Sequence, residues 1–517
     1  MAASLPLFLN SKEDVMARIN ETEEKIRRLT SQIDELSAVR QKERRSLAQL
    51  WFMIVPVGRL PTELLSEIFT LAVQATVEPD LPEPGVGHQV GVLRHLYNTS
   101  SKKAPFGVGH PIHQALRISQ ICSSWRAIAI GTPALWAAGV FDVQLNRPKY
   151  SPEKLDGMKA LLKRSSPLPI SVSLDCQYQY AFDEDVNTIT IPNVDILLTM
   201  LTTCGRWRDL KLFQDAADAL IRLGSRAGPF TALETLDLQY ASEPSSGPIQ
   251  LFLESPRLRR LCSTTYDQVQ SNVLQMPWTQ LTYLDLQEPS LPRSRTILSE
   301  CTNLVSATLV TREWDPTDGE FDAPPTVLSF LRALKAEFYE DDNPAGGVAP
   351  FFASLFLPAL ETLDLEFDVP WPVQEFSAFQ RGAPNIVDMT LRSVPITSDE
   401  LVTVLRLAPA LTALSLICCE NCTNDDFLDA FSYGASNAPQ LVPRLQTFQW
   451  QVIGVHFQLD KLEAAIRSRR WIDDETPRDA ARLRLEKITI SIIGGDSETF
   501  IDRLQDLVHQ GLTLSQS

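Results

Sequence analysis

The hexapeptide LETLDL occupies residues 233–238 and recurs letter for letter at residues 360–365. Its first, fourth and sixth residues are leucines, and its fifth is an aspartate. Successive side chains of a strand point to opposite faces, so Leu236 and Leu238 predict a buried face and Asp237 predicts an exposed one. The hexapeptide therefore predicts a short strand that is buried on one side.

This alternation recurs along most of the chain. Eleven units share it, and they begin at Trp207, Leu233, Leu258, Leu281, Leu304, Leu331, Leu360, Ile386, Leu411, Leu445 and Leu485. One unit cannot bury its apolar face alone, so the units must stack side by side. We predict a degenerate repeat array over residues 165–517, built on a parallel sheet. The strand-like segment 167–174 is expected to be an atypical unit that covers one end.

The repeat resembles the leucine-rich repeat. The unit that starts at Leu411 looks like the cysteine-containing variety, with matches at Cys419, Thr423, Asp425 and Phe427. The resemblance implies an α/β solenoid that binds an unknown target protein on its concave side, unless the polar side chains there serve solubility alone. The candidate partner-binding residues are the fifth and seventh positions Lys211, Asp237, Gln239, Asp285, Gln287, Asp364 and Glu366. Three aspartates at one repeat position favour a basic partner.

Residues 12–50 are charged and contain neither glycine nor proline. Two heptad positions are apolar over about four heptads, as in a coiled coil. One position carries Ile19, Ile26, Ile33 and Leu47, the other carries Leu29, Leu36 and Leu50, and Thr22, Arg40 and Glu43 interrupt them. Two interpretations stay open: a single helix that folds back on its own domain, or a helix that pairs with a partner or with a second copy.

The segment LPTELLSEIFTLAV, residues 60–73, predicts a helix that begins at Pro61 and is more apolar than an isolated helix tolerates. A second helix is predicted over residues 115–130, with Trp125 on its apolar face. The intervening residues 75–113 are rich in proline, glycine and serine, which predicts a flexible insert.

These helices resemble an F-box, here residues 56–138, although the insert places Leu60 and Trp125 65 residues apart. The family docks on the Skp-type adaptor of cullin-containing ubiquitin ligases. The resemblance implies an adaptor-binding set of Leu60, Pro61, Leu64, Ile68, Phe69, Ile121, Cys122 and Trp125. For Trp125 and Trp136, a place in the core and a place at the adaptor interface both stay open. A coiled coil, a split F-box and degenerate repeats in this order resemble the large F-box protein families of mushroom-forming fungi.

The chain of 517 residues carries a formal net charge of −17, which disfavours nucleic acid and anionic membranes as partners. No apolar stretch is long enough to span a membrane, and the N-terminus does not resemble a signal peptide. Eight cysteines, mostly in apolar runs, are typical of reduced thiols, so a cytoplasmic or nuclear protein is expected.

No phosphate-binding loop, dinucleotide fingerprint, zinc-protease motif or nucleophile elbow occurs in the sequence. The pair Cys419 and Cys422 has no second pair or nearby histidine to complete a zinc site. We expect no cofactor, no metal and no catalysis by this chain. The expected function is substrate recognition within an SCF-type ubiquitin ligase. The alternative is a repeat scaffold without a ligase role.

Overall fold

The computed structural model describes the chain in segments separated by gaps. The described residues are 12–54, 60–75, 111–145, 151–176, 194–214, 216–223, 228–239, 250–264, 275–287, 291–311, 325–338, 348–419, 422, 424–433, 440–453, 458–470, 484–493, 503–509 and 512–515. Residues 76–110, which make up most of the predicted insert, lie outside these segments. The described segments form a mixed α/β fold with one large parallel sheet, as predicted.

The first helix, α1 (Lys12–Ile54), is a single rod of 43 residues. None of its described side chains is buried, and its heptad residues Ile33 and Leu36 are 61% and 69% exposed. Within the described segments, therefore, α1 does not fold back on its own domain. Although α1 is long, neither it nor any other described helix is apolar enough to cross a membrane.

The described residues 60–75 and 111–145 contain four short helices that form a helical module: α2 (Thr62–Gln74), α3 (Pro111–Ser119), α4 (Ser123–Ile130) and α5 (Pro133–Ala137). The prediction of one helix over residues 115–130 is wrong in two respects. The helix begins earlier, within the predicted insert, and it breaks before Cys122. The break has a local cause, because Cys122 has an extended backbone and its sulfur accepts a hydrogen bond from the Trp125 amide at 3.4 Å, which caps α4.

In the described segments, fourteen strands form one sheet in which all paired neighbours are parallel. Their order across the sheet is β1 (Val140–Gln144), β2 (Ile170–Cys176), β3 (Trp207–Gln214), β4 (Thr235–Gln239), β5 (Arg260–Thr264), β6 (Tyr283–Gln287), β7 (Ser306–Thr311), β9 (Ala333–Phe338), β11 (Thr362–Phe367), β12 (Asp388–Arg392), β13 (Ala413–Ile417), β14 (Thr447–Ile453), β15 (Lys487–Ile493) and β16 (Thr513–Ser515). Two further strands, β8 (Thr326–Val327) and β10 (Leu355–Phe356), pair separately. Each of the eleven predicted units contains one strand of the large sheet.

The N-terminal end of the sheet differs from the prediction. The strand expected to cover that end, β2, is the second strand, and β1 forms the edge. Residues 140–144 of β1 fall between the two predicted domains, so the sheet begins before residue 165. The alternation in VFDVQ spans only five residues, and no repeat frame marks it as a strand.

The core lies between the sheet and the segments that return from one strand to the next. The first, fourth and sixth positions of every unit are buried, including the exceptional Ser263. The return segments carry α6 (Pro152–Arg164), α7 (Val194–Leu201), α8 (Ala216–Leu223), α9 (Leu291–Glu300), α10 (Ala349–Ala353), α11 (Val373–Arg381), α12 (Ser398–Arg406), α13 (Asp425–Phe431), α14 (Leu459–Ser468) and α15 (Gln505–His509).

Polar side chains connect adjacent units at the start of their strands. The Asn385 side chain donates a hydrogen bond to the Pro358 carbonyl at 2.8 Å, and Asn303 donates to the Thr279 carbonyl at 2.7 Å. Each bond joins a unit to the one before it, so stacking satisfies backbone carbonyls as well as burying leucines.

The helical module continues into the sheet without a flexible linker. Only Ala138 and the buried Gly139 separate α5 from β1. Beside this junction, Trp136 is fully buried, and its ring nitrogen donates to the Ala129 carbonyl at 2.8 Å. The guanidinium of Arg164, in α6, lies 4.8 Å from the centre of the Trp136 ring. Module and sheet therefore share one hydrophobic core.

Candidate protein-binding surfaces

Helix α2 has two apolar faces, and only one of them is buried. Leu65, Phe69 and Val73 are at most 3% exposed and pack toward α3, α4 and α5. The spacing of these three residues places them on one side of the helix. This side forms the core of the helical module.

The second face of α2 is an exposed apolar stripe formed by Leu64, Ile68 and Leu71. These side chains are 46%, 46% and 58% exposed, and their spacing of four and three residues aligns them along the helix. Ile121, in the turn between α3 and α4, is 61% exposed. Grouped apolar side chains that remain in water mark protein interaction sites.

Among the predicted adaptor-binding residues, the structure corrects the role of Phe69. Its ring is 2% exposed and lies 4.7 Å from the half-buried ring of Trp125. Phe69 lies in the interior of the module and offers no surface to a partner, whereas Trp125 packs against the core with part of its ring exposed. Of the two interpretations left open for Trp136, its complete burial favours the core.

The other predicted adaptor-binding residues divide into structural and exposed positions. Leu60 packs against the core, and Pro61 precedes α2 with its carbonyl accepting a hydrogen bond from the Leu65 amide at 3.1 Å. Cys122 is half-buried at the cap of α4. The positions with accessible apolar side chains are those of the stripe and Ile121.

Two exposed apolar residues of the module, Leu71 and the 42% exposed Ile130, were not among the predicted adaptor-binding residues. The signal for Leu71 was present, because it lies three residues after Ile68 on the same helical stripe. Ile130 is the last residue of α4, where helical periodicity alone does not indicate which way a side chain faces.

The second candidate surface is the open face of the large sheet, which carries the fifth and seventh positions of the units. Strand pairing aligns the fifth positions into one continuous row: Asp142, Ser173, Lys211, Asp237, Cys262, Asp285, Thr308, Lys335, Asp364, Thr390, Ser415, Gln449, Thr489 and Ser515. The seventh positions form a parallel row beside it. All seven predicted partner-binding residues lie on these two rows and are half-buried.

Several charges on the open face are already paired with each other. The Lys211 ammonium lies 3.1 Å from a carboxylate oxygen of Asp237. Arg392 donates two hydrogen bonds to the Asp364 carboxylate, at 3.0 and 3.2 Å. Asp237 and Asp364 are therefore neutralised within the sheet, which reduces their attraction for a basic partner.

Asp285 is different, because no lysine or arginine of the described segments lies within ion-pair distance of it. Its carboxylate accepts a hydrogen bond from the Gln287 side chain at 3.5 Å. Burial, together with the negative charges of Asp237 and Glu337, raises the pKa of Asp285 to about 6.

Glu366 is the second carboxylate with an unfavourable environment. Its Oε2 is buried and accepts no hydrogen bond within the described segments. Burial, and next the charge of Glu337, raises the pKa of Glu366. The carboxylates of Asp285 and Glu366 would both be stabilised by a cation brought to the open face.

The fifth-position row changes character along the sheet. From β12 to β16 it consists of Thr390, Ser415, Gln449, Thr489 and Ser515, and none of these side chains is charged. The charged fifth positions are Asp142 in β1 and, between β3 and β11, Lys211, Asp237, Asp285, Lys335 and Asp364. The fifth-position row is therefore mostly charged up to β11 and uncharged beyond it.

The cysteine pair of the unit at Leu411 is buried in the array. The Cys422 thiol donates to the Cys419 carbonyl at 3.2 Å, and the Cys419 thiol donates to the Leu391 carbonyl at 3.4 Å. Among the side chains that the structure describes, no group of three His, Cys, Asp or Glu residues is arranged to hold a metal ion. No protein-family model matches the chain, and no curated protein sequence is significantly similar to it.

Proposed function

We propose that this chain is an F-box protein with leucine-rich repeats. It acts as the substrate-recognition subunit of an SCF-type ubiquitin ligase. Helix α2 binds a Skp-type adaptor, and through it a cullin, while the open face of the sheet binds the target protein. The chain supplies no chemistry of its own, because holding a target beside the ubiquitin-carrying enzyme raises its effective concentration.

The observation that carries the proposal is the exposed stripe on a helix that is otherwise well anchored. Leu65, Phe69 and Val73 anchor α2 in the core of the module. The exposed side chains of Leu64 and Ile68 therefore project from a helix whose position is fixed by packing. A partner that covers them gains about 25 cal/mol for each Å² of apolar surface removed from water. The F-box resemblance identifies that partner as the adaptor.

The sheet supports the second half of the proposal. A stack of units in which the leucines are internal leaves one long face for recognition. On that face, and within the described segments, Asp285 and Glu366 lack the ion pairs that neutralise Asp237 and Asp364. A target segment that carries lysine or arginine fits this arrangement.

Adaptor binding is tested by co-expressing the full chain with a Skp-type adaptor and a cullin. Leu64→Asp combined with Ile68→Asp should abolish co-purification, because two carboxylates buried without partners cost several kcal/mol, against a total of about 12 kcal/mol at nanomolar affinity. The matched control is Thr62→Asp combined with Gln74→Asp, which adds the same two carboxylates at exposed polar positions at the two ends of the same helix. Retention of the adaptor by the folded Asp double variant contradicts the proposal.

Target binding is tested by comparing the proteins captured by the parent and by Asp285→Asn combined with Glu366→Gln. These changes keep the side-chain shapes and remove two negative charges, so basic targets should be lost. Glu300→Gln combined with Asp426→Asn removes the same charge from exposed helical positions and should capture the same proteins as the parent. An unchanged set of partners for the first variant places recognition elsewhere.

The ligase role is separated from a scaffold role by one further observation. In a reconstituted reaction with cullin and ubiquitin-carrying enzyme, a captured target should acquire ubiquitin, and the Leu64 and Ile68 variant should block this. Adaptor binding without ubiquitin on any target would favour the scaffold.

A further inference from the structure

Helix α1 is the largest described element whose apolar side chains are uncovered. Its first heptad core position carries Ile19, Ile26, Ile33, Arg40 and Leu47, and its second carries Leu29, Leu36, Glu43 and Leu50. All the apolar members are between 45% and 69% exposed. A stripe of this length, left in water, requires another helix to cover it.

The two charged core residues decide which helix fits. Arg40 and Glu43 occupy consecutive core layers and form no ion pair within the described segments. Isoleucine at the first position with leucine at the second is common in parallel dimers. A parallel, in-register pair, however, places Arg40 against Arg40 and Glu43 against Glu43, so two adjacent layers contain like charges.

An antiparallel pair removes this conflict, because reversing one helix brings the first core position opposite the second. When Arg40 faces Glu43 of the other copy, Ile33 faces Leu50 and Leu36 faces Leu47. The twofold axis repeats each of these three layers, which gives six layers over residues 33–50. Both charged layers then contain opposite charges, and the other four are wholly apolar.

Other antiparallel registers lack this complementarity. Sliding the helices by one heptad in either direction places Arg40 opposite Leu36 or Leu50, and a charge would then be buried against a leucine. The register centred between residues 41 and 42 is therefore the one in which charge and apolar character both match. It uses the C-terminal half of α1 and leaves Ile19 and Ile26 outside the overlap.

We propose that α1 pairs with α1 of a second copy of this chain, antiparallel, with Arg40 of each copy facing Glu43 of the other. The result is a dimer that presents two adaptor-binding modules and two arrays. This pairing does not depend on the function proposed above, since it follows from α1 alone.

The first experiment measures the mass of the full chain by sedimentation equilibrium, where a dimer of the 57.8 kDa chain is expected. Arg40→Glu creates two layers of like charge and should raise the dimer dissociation constant by at least roughly 100-fold. Adding Glu43→Arg restores opposite charges and should return the constant to within about threefold of the parent. Arg45→Glu, the same charge change on the outer side of the helix, is the matched control and should leave the dimer unchanged.

The second experiment determines the orientation by mild oxidation of cysteine variants of the full chain, with the parent as the background for its native cysteines. Leu36→Cys alone should form no additional cross-link, because residue 36 faces residue 47 of the other copy. Leu36→Cys combined with Leu47→Cys should cross-link. Self-linking of the single variant would demonstrate a parallel pair and overturn the proposal.

Two further results would also overturn it. One is a monomeric parent chain at every concentration tested. The other is a dissociation constant that Arg40→Glu leaves unchanged, because the charged layers would then lie outside the interface.

Discussion

Replacing Phe69 by alanine should open the helical module, whereas replacing its neighbour Ile68 should leave the module folded and weaken adaptor capture. The two residues are adjacent in α2 but differ in exposure, at 2% and 46%. Truncation of a buried phenylalanine costs about 3–5 kcal/mol. The contact of its ring with Trp125 at 4.7 Å accounts for about 0.5–1.5 kcal/mol of that loss. Truncation of an exposed isoleucine changes stability by within about 0.5 kcal/mol.

Hydrogen exchange of the full chain, followed by mass spectrometry, measures this difference locally. Amides in α2 and α4 should exchange between roughly 100-fold and several thousand-fold faster in Phe69→Ala, or reach the unprotected rate. Amides of the sheet strands serve as an internal reference. In Ile68→Ala the exchange of α2 should match the parent, while adaptor affinity should fall about tenfold or more, as for a truncated interface residue.

The opposite pattern refutes the assignment of the two faces. If Phe69→Ala exchanges like the parent, its ring does not hold the module together. If Ile68→Ala binds the adaptor as tightly as the parent, the exposed stripe is not the contact surface.

Three further predictions concern the array. Leu284→Ala, at a fully buried position in β6, should lower the free energy of unfolding by about 2–5 kcal/mol in urea titrations. The control is Leu253→Ala, at a residue that is 47% exposed, which should lower it by less than about 0.5 kcal/mol. Equal losses would contradict the repeat register. Arg469 is 1% exposed, and its guanidinium donates hydrogen bonds to three backbone carbonyls. Arg469→Met should therefore lower the free energy of unfolding by about 3 kcal/mol or more. In the same titrations Arg332→Met, which removes an exposed ion pair, should lower it by about 0–1 kcal/mol. Burial raises the pKa of Asp285 from 3.8 to about 6, so the folded chain holds a proton that the unfolded chain has lost, and the stability of the parent falls as pH rises through this range. Asp285→Asn should therefore melt at a higher temperature than the parent near pH 7, with the difference vanishing below about pH 4, and a constant difference across this pH range would show that ionisation of Asp285 is not the cause.

The strand register of the array follows from sequence because alternation is a local property. In LETLDL the leucines and the aspartate must point to opposite faces whatever surrounds them. The same rule brings the seven predicted partner-binding residues to one face. It does not reveal which charges are paired, because the contact of Lys211 with Asp237 depends on the alignment of two strands about 25 residues apart in the chain.

The helical module shows where periodicity is insufficient. In α2, Leu64, Ile68 and Leu71 have helical spacing, and so do Leu65, Phe69 and Val73. Both sets meet the criterion for a buried face, and only the positions of the neighbouring helices distinguish them. The assignment of Phe69 to the adaptor surface was wrong for this reason, whereas Leu71 was omitted although its spacing from Ile68 indicated the same stripe.

The two-residue connection between α5 and β1 has a consequence for where ubiquitin could be placed on a captured protein. A flexible linker would let a bound target protein take many positions and orientations, so many of its lysines could reach the ubiquitin-carrying enzyme. Here Gly139 is buried and Trp136 lies in the shared core, so we expect module and sheet to behave as one rigid body. A target protein on the open face would then be held at a fixed distance and orientation relative to the adaptor. Ubiquitin would be attached mainly to the few lysines of the target that lie within reach of the ubiquitin-carrying enzyme.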